Sequence, residues 1–140
     1  MTRRVALSLG LGVSLLLIGT GHALAEAPEI TITGTWVGTN GFTNFTIVIN
    51  EQKGHSFSGV LAVCFPLPCT PSSFTFEVDG FFVKRNFFVL DTVESTAGSC
   101  APGTSSLTGT VVDNIMTLTG GGRLSDCTPF IFSATLEKQP

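Results

Sequence analysis

Ile32-Thr33-Gly34-Thr35-Trp36 carries the only tryptophan of the chain and a spelling that returns twice. Phe57-Ser58-Gly59-Val60-Leu61 and Leu107-Thr108-Gly109-Thr110-Val111 repeat its order of apolar, hydroxyl, glycine, any residue, apolar. Residues two apart in a strand share a face, so each copy sets apolar, glycine and apolar on one side. A glycine between two core residues lets a strand coil sharply, or lets a ring or a second backbone come close. Three such strands predict a small closed sheet that narrows around Trp36.

The alternation continues outward from this stretch. The first predicted strand covers residues 32–39, with Ile32, Gly34 and Trp36 on one face, and Asn40-Gly41 is a turn signal. Further strands are predicted over 43–50, 57–63, 74–82, 87–94, 107–112, 115–119 and 130–136. Their inward residues include Phe45, Ile47 and Ile49, then Phe57, Leu61 and Val63, then Phe74, Phe76, Val78, Gly80 and Phe82. Asp113-Asn114 reads as a two-residue hairpin. Residues 64–71, 95–104 and 120–129 read as long loops, the first because Pro66, Pro68 and Pro71 remove ladder donors. No stretch after the start of the chain has helical periodicity. The expected fold is all-β: an eight-stranded antiparallel up-and-down barrel, with a two-sheet sandwich as the alternative. In that barrel the three long loops share one rim with all four cysteines, and short turns close the other.

The first residues read as a leader. Arg3 and Arg4 precede an apolar run from Val5 to Ile18, and Ala23-Leu24-Ala25 supplies a small-residue site. This pattern predicts a secretory signal peptide over 1–25 and a single barrel domain over 26–140. An exported protein, periplasmic or extracellular, is the expectation, with no membrane insertion once the leader is gone. Loss of Arg3 and Arg4 takes the formal net charge from −3 to −5. The remaining basic residues are scattered, so no nucleic-acid surface is expected. Twelve phenylalanines, no tyrosine and 16 glycines suit an all-β chain with an apolar interior. A membrane barrel would want aromatic girdles and a polar lumen, which this composition does not offer.

Cys64, Cys69, Cys100 and Cys127 form an even set in an exported chain and read as two disulfides. Three pairings are open. The preferred one joins Cys64 to Cys69 within a loop and Cys100 to Cys127 across two. Zinc is disfavoured because no C-x-x-C pair is present.

Gly34-Thr35-Trp36 resembles the G-x-W first strand of the calycin group, the lipocalins and avidin-like proteins. Phe57-Ser58-Gly59-Val60-Leu61 resembles the avidin third-strand pattern L-T-G-x-Y. The resemblance covers the first two strands and part of the third, and it implies an eight-stranded barrel with a ligand inside. Gly38 stands where avidin-type sites carry asparagine, Leu61 replaces the tyrosine, and later tryptophans are absent, so biotin is not the implied ligand. The C-terminal helix of lipocalins is absent as well.

Catalytic candidates are few. His55, after the leader the only histidine, falls in a predicted turn. Glu77 and Asp79 share a strand face, and a turn at 84–86 sets Asp79 opposite Asp91. Facing carboxylates can bind calcium or act as an acid–base pair, but the preferred reading is a solvated outer face or a register one residue different. Gly120-Gly121-Gly122 opens no helix and reads as loop. Asn44-Phe45-Thr46 matches a glycosylation sequon. No catalytic residue, metal site or cofactor is expected, and the protein reads as a non-enzyme. The expected ligand-binding residues for a small apolar molecule are Trp36, Phe45, Phe57, Phe76, Phe88 and Phe132. The alternative is a filled barrel acting as an interaction or inhibitor module, through its stapled loops or through Phe81, Val83, Phe87 and Val89. Those four face outward on an otherwise buried hairpin and would form a homo-oligomer seam or docking patch.

Overall fold

The computed structural model describes residues 30–64, 73–99 and 101–140. The predicted leader, residues 1–25, lies outside them. Eight strands follow one another in chain order: β1 (Gly34–Thr39), β2 (Asn44–Lys53), β3 (Ser56–Cys64), β4 (Ser73–Phe82), β5 (Phe87–Gly98), β6 (Ala101–Val112), β7 (Ile115–Arg123) and β8 (Pro129–Lys138). Each pairs antiparallel with its sequence neighbours, and β8 returns to β1, so the sheet closes into the expected up-and-down barrel rather than a sandwich. Closure leaves no exposed sheet edge.

Period-2 alternation decides which side chains fill the barrel. Phe45, Ile47 and Ile49 of β2, Val78 and Phe82 of β4, and Phe88 and Leu90 of β5 are buried, as are Leu118 of β7 and Leu136 of β8. The outer face carries hydroxyls and carboxylates together with exposed apolar side chains such as Phe81, Val112 and Ile131. The hydroxyls of Thr110 and Thr117 meet across β6 and β7 at 2.6 Å, and Ser106 donates to Asp91 at 2.5 Å.

One end of the barrel is packed solid. Phe57, Phe82 and Phe88 meet edge-to-face, their centroids 5.6, 5.3 and 5.6 Å apart. Such pairs add about 0.5–1.5 kcal/mol each beyond the area they bury. Their rings fit because they lie over glycines: Phe57 over Gly80 and Phe88 over Gly109. Trp36 is fully buried, donates its indole N–H to the Ile32 carbonyl at 2.8 Å and has the Lys138 ammonium 5.4 Å from its ring.

The repeated motif is not used three times alike. Gly109 admits a ring and Gly59 admits the backbone of Val48, as the sequence predicts. Gly34 is exposed, with φ 120. Its role is to turn the lead segment off the strand, in a conformation other residues rarely adopt. The lead then tucks Ile32 into the core, and its N–H is held by the Gln52 side chain at 2.9 Å.

Two of the three expected long loops are largely or partly strand. β5 and β6 run on to Gly98 and from Ala101, so the connection predicted over 95–104 is a hairpin with a register shift between Val93 and Ala97. Gly120, Gly121 and Gly122 belong to β7 rather than to a loop, opposite Phe132, Ile131 and Phe130 of β8. Only residues 124–128 connect β7 to β8. A glycine run reads as a loop here because side chains are scarce where backbones touch: a Cβ on Gly122 would strike the carbonyl of Thr104. Of the third predicted loop, 64–71, Cys64 ends β3, and the rest falls on residues outside the described ones.

Candidate functional site

Moving along each strand away from the phenylalanine cluster, the inward positions stop meeting. Gly59 gives way to Leu61 and Val63 on β3, Val78 to Phe76 and Phe74 on β4, and Gly109 to Leu107 and Ser105 on β6. These residues surround a cavity of about 190 Å³, completed by Phe45, Phe130, Phe132, Thr43 and Thr92, with Leu124 from the β7–β8 turn. Phe45 and Phe132 form one wall, edge-to-face at 4.7 Å.

The lining is mainly apolar, with one polar pair set into it. Thr92 of β5 and Ser105 of β6 are register partners, 1% and 6% exposed, with hydroxyl oxygens 2.6 Å apart. At the mouth, Asn40 Oδ1 accepts the Thr43 N–H at 3.1 Å. Further out on β5, buried Glu94 accepts the Ser125 N–H at 2.8 Å. That bond anchors the turn that carries Leu124. Asp126 accepts the Thr128 N–H at 2.9 Å in the same turn, which holds its carboxyl below the ordinary carboxylate range.

The expected ligand residues divide between the two ends. Phe45, Phe76 and Phe132 line the cavity. Trp36, Phe57 and Phe88 sit in the packed end and do not line it. Thr92 and Ser105 went unseen in the sequence. The alternation Phe88, Leu90, Thr92 points to the first, while Ser105 borders the stretch misread as loop.

The remaining candidates lie elsewhere. His55 occupies the β2–β3 turn, its ring 5.7 Å from Phe81 and its Nδ1 buried without a hydrogen bond. Asp79 does face Asp91, and both are exposed, as is Glu77. Among the described residues no cluster of three or more histidine, cysteine or carboxylate side chains could hold a metal ion. Phe81 and Val89 are exposed and Phe87 half-buried on the outer face of β4 and β5, beside exposed Val83 in the turn that joins them. Neither Cys64 nor Cys127 is a free thiol; Cys69 and Cys100 lie outside the described residues, and with them the expected pairing. Comparison with protein families, with curated proteins and with solved structures finds no match.

Proposed function

We propose that this protein is an exported, non-enzymatic barrel that holds one small apolar molecule in the cavity bounded by Phe45, Leu61, Phe76 and Phe132. The carrying observation is the contrast between the two ends. Protein interiors are packed close to crystal density and hold few voids larger than a water molecule. At one end of this barrel buried phenylalanine rings interlock, while the other keeps about 190 Å³ among mainly apolar walls. Eight strands make a barrel just wide enough either to be filled or to hold one small ligand. The likeness of Gly34-Thr35-Trp36 to the lipocalin and avidin first strand agrees with an interior site.

Export is supported by the leader pattern at 1–25 and by the even cysteine set. The pairing Cys64–Cys69 and Cys100–Cys127 is part of the proposal. Ser99, next to Cys100, has its hydroxyl 3.7 Å from the Cys127 sulfur. Disulfide mapping that joins Cys64 to Cys100 overturns that pairing. The reading as a non-enzyme rests on placement, because His55 and the carboxylate pair stand outside the cavity. The apolar interior is the reverse of the polar lumen of a membrane barrel.

The test is the native mass of protein exported with its own leader, compared with its denatured mass. A small-molecule mass lost on denaturation is expected. An empty protein that also takes up no p-xylene overturns the reading. A second reading, an interaction module, is favoured by exposed Phe81, Val83 and Val89.

A further inference from the structure

We infer that the occupant is a single six-membered ring bearing one oxygen that accepts a hydrogen bond, and that Thr92 and Ser105 read that oxygen. The inference rests on the proposed binding function and deepens it.

Size sets the first limit. An apolar cavity of about 150 Å³ holds benzene, so about 190 Å³ admits one ring with one or two further heavy atoms. A fatty chain or a fused ring system would not fit whole and would project through the mouth. Charge sets the second limit. No lysine, arginine, aspartate or glutamate lines the cavity, and an ion buried without a partner is strongly disfavoured. The occupant is therefore neutral.

The hydroxyl pair sets the third. Thr92 and Ser105 bring two O–H donors to a buried place, and the 2.6 Å bond between them uses one. The second O–H is left over in a lining whose other polar residues are Asn40, Thr43 and Ser133, none of which is hydrogen-bonded to the pair. A hydrocarbon offers that donor no partner. A phenolic or carbonyl oxygen would accept from it, and a phenol could in turn donate to a free lone pair of the same two hydroxyls. A site built to bond an oxygen discriminates against the analogue lacking it, because its own buried group is then left unpaired.

The test uses p-cresol and p-xylene, which share a shape and differ by hydroxyl against methyl. Both are titrated by calorimetry into wild-type protein and into the double variant Thr92→Val, Ser105→Ala. Removing both partners of a buried bond with groups of similar shape is close to neutral for folding. The preference for p-cresol over p-xylene is expected to fall about tenfold in the variant, the size of one good hydrogen bond. An unchanged preference overturns the inference and leaves the binding function standing. Failure of both probes to bind wild-type protein overturns the binding function itself. Nuclear Overhauser contacts in the wild-type complex give a check that needs no variant. The ring protons beside the p-cresol oxygen should lie against the Thr92 methyl, and the opposite orientation sinks the inference.

Discussion

The ring of Phe57 occupies the space where any residue other than glycine at position 80 would carry its Cβ. The ring has nowhere else to go. Phe82 and Phe88 hold it edge-to-face at 5.6 and 5.3 Å. Gly80→Ala should therefore overpack this end and lower stability by about 1–3 kcal/mol. In urea unfolding the midpoint should fall while the slope stays constant. Adding Phe57→Leu to Gly80→Ala should recover part of the loss, because the two residues share one space and their effects do not add. Additive losses would mean that the contact is not what limits position 80.

The seam that closes the barrel depends on Gly38. β1 and β8 pair over only three positions, Trp36 with Lys138, Val37 with Glu137 and Gly38 with Leu136. A methyl group on Gly38 would overlap the carbonyl oxygen of Thr135 and press on the backbone of Leu136. Backbone yields less readily than a side chain end. Gly38→Ala should lower stability by about 3 kcal/mol, the upper part of the overpacking range. It should also speed hydrogen exchange at the Gln139 amide, which bonds the Thr35 carbonyl at 2.8 Å beside the seam. Normal protection at Gln139 would argue against a seam set by Gly38.

The sequence disclosed the barrel where its code is chemical and concealed it where the code is an absence. Phe74, Phe76, Val78, Gly80 and Phe82 alternate so plainly that strand, face and register follow from reading them. Asp113, with φ 54, occupies the turn its hairpin signal marks. The failures gather at the cavity end. Gly103, Gly120 and Gly122 carry no side chain because neighbouring chain already fills that space, and a run of small residues reads as a loop. Pro102 stands near the hairpin tip, opposite Ala97, where its missing donor does little harm. The cavity was hidden for a related reason: alternation says which residues point inward, but not whether they meet.

The β7–β8 turn should loosen in acid. Accepting the Thr128 N–H depresses the carboxyl pKa of Asp126. A carboxylate whose folded pKa is depressed stabilises the structure above its unfolded pKa, and that contribution is lost as pH falls through the folded value. Local order in the turn should thus be intact near neutrality and decline below the ordinary carboxylate range. The protection factor of the Thr128 amide, its exchange rate relative to that of an unstructured amide at the same pH, should fall there, and Asp126→Asn should flatten that part of the profile. The residue is fully exposed, so a change in global stability is not expected. An Asn variant with the same acid profile as wild type would refute the assignment.

The outer face of β4 and β5 should prove adhesive if the interaction reading holds. Phe81, Val83 and Val89 are 49%, 53% and 39% exposed. They lie together with the half-buried Phe87, and clustered apolar surface of this kind marks interfaces more often than isolated residues do. Replacing Phe81 and Phe87 with serine should lower the sedimentation coefficient by dissociating an oligomer. If wild type already sediments as a monomer, or the double variant sediments unchanged, this face is not a self-association surface.

Filling the cavity should separate binding from stability. Val63 is half-buried and lines the wall between Phe45 and Phe74, its pairing partners on β2 and β4. A phenylalanine at this position would project into vacant volume rather than into packed neighbours. Val63→Phe should weaken p-xylene binding at least about tenfold, a loss of about 1.4 kcal/mol. The melting temperature should hold or rise, since filling a void restores contacts. Phe88→Ala should do the opposite. Phe88 is fully buried among Phe57, Phe82 and Gly109, and its truncation should remove about 3–5 kcal/mol of stability. Because it does not line the cavity, p-xylene should still bind to the folded fraction with near wild-type affinity. If Val63→Phe unfolds the protein, or binds p-xylene as wild type does, the ligand seat is not between β2, β3 and β4.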